Sequence, residues 1–218
     1  MSDLVEVFSD LTLRGPAEKK GALRDALIAA AAGAWRFDSA RSEEIRRNSV
    51  SRDEVLAFRH DEAGSLPAAG LTLWERPDGY TVPNIVPVEV GELTRAQYNA
   101  LLQDFAEKVV RAPAAANGFD VELTSGRQGM DDWTSAEVVT ALRRFSGAAN
   151  KSTGASHPMD QQRWFAFLLA AHRAEAKPDP DRLARWLNEV EGWDEESAHE
   201  LAGDYERALA LLTYADSH

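Results

Sequence analysis

The residues best placed to do chemistry in this 218-residue chain lie in one polar stretch, Ser146-Gly147-Ala148-Ala149-Asn150-Lys151-Ser152-Thr153-Gly154-Ala155-Ser156-His157. Successive backbone N–H groups beside a cation favour an anion, so its glycines, hydroxyls and Lys151 suit a phosphate or carboxylate. Lys151, Ser152, Thr153 and Arg163 are the candidate ligand-binding residues. The stretch is not a P-loop, which needs glycine directly before the lysine and a strand leading in. Here Asn150 precedes Lys151 and a helical pattern leads in. A solvated loop joining two helices accounts for the same residues.

His157 and Asp160 are the candidate catalytic pair, since a histidine oriented by a carboxylate can carry a proton near neutral pH. Asp160 and Trp164 share one helix face at i and i+4. No nucleophile accompanies them, because the G-x-S-x-G elbow is missing from the sequence. Standing before Pro158, His157 reads equally well as the residue that opens a helix. His172 falls on an apolar helical pattern, where a core histidine with one satisfied hydrogen bond is expected. Glu196 and His199 have the i, i+3 spacing of half a carboxylate di-iron site, but the chain lacks the second Glu-x-x-His. H-E-x-x-H is also missing, so no metal and no cofactor are expected.

Composition narrows the chemistry further. With no cysteine, the chain excludes a disulfide framework, a thiolate zinc site, cysteine-ligated iron–sulfur clusters and a cysteine nucleophile. Its net charge of −12 argues against duplex nucleic acid, whose phosphates call for a basic surface. That charge is concentrated. Residues 186–218 carry nine acids and a single base, Arg207, whereas residues 127–185 carry nine bases and seven acids. Glu195, Glu196 and Glu200 in the acidic segment, and Trp74 in a hairpin, are the candidate interface residues, tryptophan being a favoured anchor.

The chain opens on acidic residues where a signal peptide would need basic ones. Its longest fully apolar run, Trp164 to Ala171, is far short of the roughly 20 residues of a membrane span. A cytoplasmic protein without a membrane partner is expected.

The elements that must position these residues fall into two halves. Val5, Val7, Leu11 and Leu13 alternate with polar residues as in a half-buried strand. A helix after Pro16 places Leu23, Ala26, Leu27 and Ala30 on one face. Residues 36–53 are weakly patterned, with a short helix around Glu43 to Arg47. Strands follow at Glu54–His60, Gly70–Glu75 and Tyr80–Val86, the last two joined through Arg76-Pro77-Asp78-Gly79, where proline presets φ and glycine accepts positive φ. Pro83 and Pro87 cannot donate to a ladder, which makes the strand after the turn an edge or ends it early. Thr94 and Gln97 form a capping box before the stripe Tyr98, Leu101, Leu102, Phe105 and Val109, and Phe119 to Leu123 alternates as a final strand. The order predicts a ferredoxin-like βαβ(ββ)αβ sheet layer over residues 1–126.

Residues 127–218 carry no strand pattern and predict a C-terminal four-helix region. Thr134 and Glu137 predict a second capping box. The helix from Pro158 to about Ala176 is apolar nearly all round, which predicts burial at the centre of this half. Asp179-Pro180 opens the third helix. The fourth begins near Asp194 and is expected to bury Ala198, Leu201, Tyr205, Ala208, Leu209 and Leu212. The fold class is therefore α+β, with the boundary at Ser125 to Gly129.

These readings point first to a non-catalytic binding or regulatory protein, such as an antitoxin, an immunity-type inhibitor or a complex subunit. Its partner is expected to be a protein, basic where it meets the acidic segment. The alternative is an enzyme acting on a phosphorylated or nucleotide substrate at the junction of the two halves, with Lys151, His157, Asp160 and Arg163 lining its site.

Overall fold

The computed structural model describes residues 3–50, 53–151 and 157–218 and is mixed α+β. In chain order its elements are β1 (Val5–Glu6), β2 (Leu11–Arg14), α1 (Lys20–Ala30), β3 (Trp35–Phe37), α2 (Ser39–Asn48), β4 (Val55–His60), β5 (Ala69–Arg76), β6 (Gly79–Thr81) and β7 (Ile85–Pro87). Then follow α3 (Arg95–Phe105), α4 (Arg111–Asn117), β8 (Asp120–Leu123), β9 (Arg127–Gln128), α5 (Met130–Trp133), α6 (Ala136–Ser146), α7 (Pro158–Arg173), α8 (Pro180–Glu189) and α9 (Glu195–Asp216). Two compact units result, one spanning Val7–Gly126 and one joining the chain up to Glu6 with Arg127–His218.

The sheet unit is a seven-stranded antiparallel sheet in the order β3-β4-β5-β6-β2-β8, with β7 also paired to β5. Alternation sets its inner face. Ala69, Leu71 and Leu73 of β5 point into the core while Gly70, Thr72 and Trp74 point out. Leu23 and Leu27 of α1 and Tyr98, Leu101, Leu102 and Phe105 of α3 close over that face. The sheet is longer than the five strands expected, because the weakly patterned region forms β3 and α2. Trp35 is fully buried there against Phe105, and Asp38 caps α2.

Three local devices shape the sheet. The β5–β6 turn closes at Gly79, whose φ of +157° and close approach to the Leu13 carbonyl admit no Cβ. Pairing with β5 lapses after Thr81 at Pro83 and resumes at Ile85, so the single strand expected over Tyr80–Val86 is two short ones. Thr94 and Gln97 form the capping box expected of them. The helix they open runs through a π turn at Ala106–Val110 before α4, so Pro113, which lacks an N–H, falls in the first turn after that offset.

The strand expected over Val5–Leu13 is also divided. Val5 and Glu6 pair with β9, whereas Leu11–Arg14 lie in the large sheet. Between them the backbone turns to side chains, with Ser9 N–H donating to Asn99 Oδ1 and Asp10 N–H to Thr124 Oγ1. These bonds satisfy groups that a continuous ladder would have used.

In the helical unit, four amphipathic helices follow the small β1–β9 ladder and α5. Aromatic rings fill the interior, with Phe145 against Trp164 and Trp193 at centroid distances of 4.9 and 5.5 Å. Asp179 and Asp194 cap α8 and α9. Thr134 does not cap α6. Its hydroxyl donates to the Ala176 carbonyl, and Ser135 takes the N-cap position without a side-chain bond.

Two burial expectations need correction here. On α7, Trp164, Phe167, Leu168 and Ala171 are buried but Phe165 is 50% and Leu169 41% exposed. On α9, no residue after Tyr205 is buried, and Ala208, Leu209 and Leu212 are only half-buried.

Candidate functional site

The candidate residues described in the connector and the start of α7 each have a local structural task. Lys151 donates to the Glu191 carbonyl. Ser146 donates to the Glu191 carboxylate at 2.7 Å and accepts from the Trp193 indole at 2.8 Å, so a buried relay ties α6 to the turn before α9. His157 is the N-cap of α7, its Nδ1 accepting from the Met159 N–H at 3.3 Å. Asp160 is buried and receives the Arg163 guanidinium at 2.7 Å. Asp160 and Arg163 are thus brought together, while Lys151 and His157 are bonded elsewhere. Ser152 and Thr153 lie outside the described residues.

His172 accepts the core role in part. Its Nε2 stands 2.7 Å from Asp216 Oδ2, joining the ends of α7 and α9, and its buried Nδ1 has no partner among the described residues. Glu195, Glu196, His199 and Glu200 share one open face of α9. His199 Nδ1 lies 2.8 Å from the Glu195 carbonyl oxygen within the helix. Among the described residues no group of three or more potential metal ligands converges.

The densest ionic cluster was not foreseen from the sequence. In the sheet unit the buried Tyr80 hydroxyl donates to Glu54 at 2.7 Å, and the Glu54 N–H donates to Glu75 at 2.9 Å. Lys20 pairs with Glu75, and Arg24 pairs with Glu54 at 3.3 Å. The Lys20 hydrogen bond, aided by the Glu54 N–H, holds the Glu75 carboxyl below its ordinary range. Burial, with the Glu54 carboxylate beside it, pushes the Tyr80 phenol far up. Perturbed groups can mark active sites, but here each charge is spent on a neighbour, and the cluster bolts α1 to the sheet.

Two grooves remain. On the outer face of the sheet a groove of about 610 Å³ runs beneath α2, floored by Ala57, Gly70 and Thr72 and walled by Trp74. Trp74 is half-buried, and its N–H donates to Thr72 at 3.1 Å, so the indole carries no unmet polar demand. In the helical unit an open groove of about 640 Å³ separates α6 from α7, with Arg144, Arg163 and Met159 among its walls.

One family model is similar to part of the helical unit. Residues 136–213 match a domain of unknown function, DUF1889. The match begins at the first residue of α6 and ends inside α9, so it takes in the groove, Phe165 and Leu169 of α7 and Leu211 of α9, and stops one residue before Tyr214. It supplies a shared sequence pattern and no chemistry. Comparison with curated proteins and with solved structures yields no match. Among the described residues no helix is long and apolar enough to cross a membrane.

The exposed residues Phe165, Leu169, Leu211 and Tyr214 escaped the sequence reading. Their signal is present as two uncharged runs, Trp164–Ala171 and Ala208–Ala215. Hydrophobicity alone assigns such runs to a core, and only solvent exposure separates them from one.

Proposed function

We propose that this is a non-catalytic binding protein that works through protein–protein contacts made by its helical unit. One observation carries the reading: large apolar side chains on α7 and α9 face solvent, at 50% for Phe165, 67% for Leu211 and 62% for Tyr214. A surface of that kind marks association more often than catalysis. The polar residues that would serve an enzyme are engaged in capping α7, pairing along it and anchoring the connector. Glu195, Glu196 and Glu200 form no ion pair among the described residues, and they suit basic groups at the rim of a partner.

The test is affinity capture from the native host with the full chain at low and moderate salt. A stoichiometric partner retained by the native protein is expected. Its capture should weaken with Phe165→Glu and should show a reduced salt dependence with Glu195→Gln/Glu196→Gln. Equal capture by all three proteins would remove the helical unit from the contact.

A further inference from the structure

The groove on the outer face of the sheet exists because its floor is made of small side chains. Along β5 the outward positions are Gly70, Thr72 and Trp74, and β4 sets Ala57 opposite Thr72. Strand interiors favour β-branched and aromatic residues, so a glycine there weakens the strand. The ordinary reasons for accepting that cost fail at Gly70. Its φ is not positive, so no turn or strained backbone requires it. Its pairing is regular on both sides, with Arg59 of β4 and Val86 of β7, so no bulge requires it. A Cβ there would meet only Val86 Cγ2, at an ordinary 3.6 Å, so no neighbour among the described residues excludes one. The remaining use of a strand glycine is close approach by another group.

The walls define the chemistry of that group. Trp74 stands at one end, half-buried, with its ring fixed by the N–H bond to Thr72. Of the charged residues lining the groove, Asp38 is engaged in capping α2, and Arg41 pairs with Glu44 at 2.8 Å. Arg59 is different. Its nearest carboxylate, Asp61, is 3.7 Å away and also serves Arg36, and the Arg59 guanidinium makes no hydrogen bond among the described residues. Trp74 and the Gly70–Arg59 pair are four residues apart along β5, roughly 13 Å, which a fused-ring acid or a nucleoside monophosphate can bridge with side-chain reach.

The geometry points to a binding site for a small planar aromatic anion, its ring against Trp74 above the small-residue floor and its charge on the Arg59 guanidinium. The cavity of about 610 Å³ has the size of a small-molecule site, with an apolar body and few polar groups to set orientation. Guanidinium binds carboxylate and phosphate alike, so both an aromatic carboxylate and a nucleoside monophosphate present the required chemistry. The site lies within the sheet unit and does not depend on the contact proposed for the helical unit.

NMR titration of the isotope-labelled full chain tests the assignment through the Trp74 indole N–H signal, identified with Trp74→Phe. The probes are naphthoate, AMP and the neutral naphthamide. Naphthoate or AMP is expected to move the Trp74 signal with a Kd below about 1 mM, and naphthamide to bind at least about tenfold more weakly. Whichever anion binds more tightly identifies the source of the ligand. Arg59→Gln should weaken that binding about tenfold. Gly70→Val should abolish it while keeping or raising the urea midpoint, because valine suits a strand better than glycine. No movement of the Trp74 signal with either anion at about 5 mM overturns the inference. Equal binding of naphthamide overturns it too, as does unchanged binding by Arg59→Gln or Gly70→Val.

Discussion

The sheet unit and the helical unit spend their apolar residues differently. In the sheet unit the inner face is closed by α1 and α3 and buries Trp35, Phe58, Tyr80 and Phe105 to within 1%, while Trp74 on the outer face is half-buried. Its charges are also paired internally, most densely around Glu54 and Glu75. The helical unit buries an equally aromatic core yet leaves Phe165, Leu169, Leu211 and Tyr214 in solvent. Both obey the same burial energetics, so the contrast lies in which elements keep apolar side chains in solvent. The exposed apolar residues of the sheet unit, Phe8, Val50, Val86, Val88 and Val90, lie in β7 and in loops, whereas most of those of the helical unit lie along α7 and α9.

The contrast can be broken or sharpened by mutation. The largest effect is expected from Phe105→Ala, which removes a ring packed against Trp35 and Phe58 at 4.8 and 5.1 Å. It should destabilise the sheet unit by about 3–5 kcal/mol. Hydrogen exchange should show that loss across β4 and β5 while α6–α9 keep their protection.

Ser146→Ala comes next. It leaves the buried Trp193 N–H without its acceptor and frees the Glu191 carboxylate. A cost of about 1–3 kcal/mol to the helical unit is expected, read as a lower urea midpoint in the Trp193 fluorescence transition.

Thr94→Ala removes one half of the capping box and should cost about 1 kcal/mol, seen as faster amide exchange in the first turn of α3.

A smaller effect is expected in acid. The folded pKa of Glu75 is depressed, so the stability it contributes is fully present above the unfolded carboxyl value, about 4.3. It is lost as pH falls through the lower folded value. Glu75→Gln should flatten that part of the stability–pH curve, measured by denaturant titration at each pH.

The smallest effect belongs to Phe165→Ala, expected within about 0.5 kcal/mol when the protein is held dilute. A loss as large as that of Phe105→Ala would show that Phe165 is core after all and would erase the contrast between the units.

Much of the architecture was legible where one local interaction decides it. The Thr94 capping box, the Asp179-Pro180 and Asp194 helix starts and the Pro77-Asp78-Gly79 turn involve residues a few positions apart, so spacing is enough. The α+β class followed from the change of hydrophobic period along the chain. Features decided by distant partners were misread. Thr134 has the spacing of a cap, yet the Ala176 carbonyl claims its hydroxyl. The alternation from Val5 to Leu13 reads as one strand, yet Asn99 and Thr124 interrupt it. For the candidate site, His157 was legible as a helix-opening residue. The Glu54–Tyr80–Glu75 cluster was not, because its members are 26 and 21 residues apart and meet only through strand pairing.

By itself, the sequence determined the α+β class, the exclusion of cysteine chemistry and the place where the acidity resides. These depend on composition and on contacts within a few residues. Tertiary structure alone decided which apolar residues are core and which are surface. Hydrophobicity is a property of a side chain, whereas burial depends on whether another element happens to cover it. Phe167 and Phe165 are the same amino acid two positions apart on one helix. One is stacked on Tyr205 and the other faces solvent, because α9 crosses one side of α7 and no described residue buries the other.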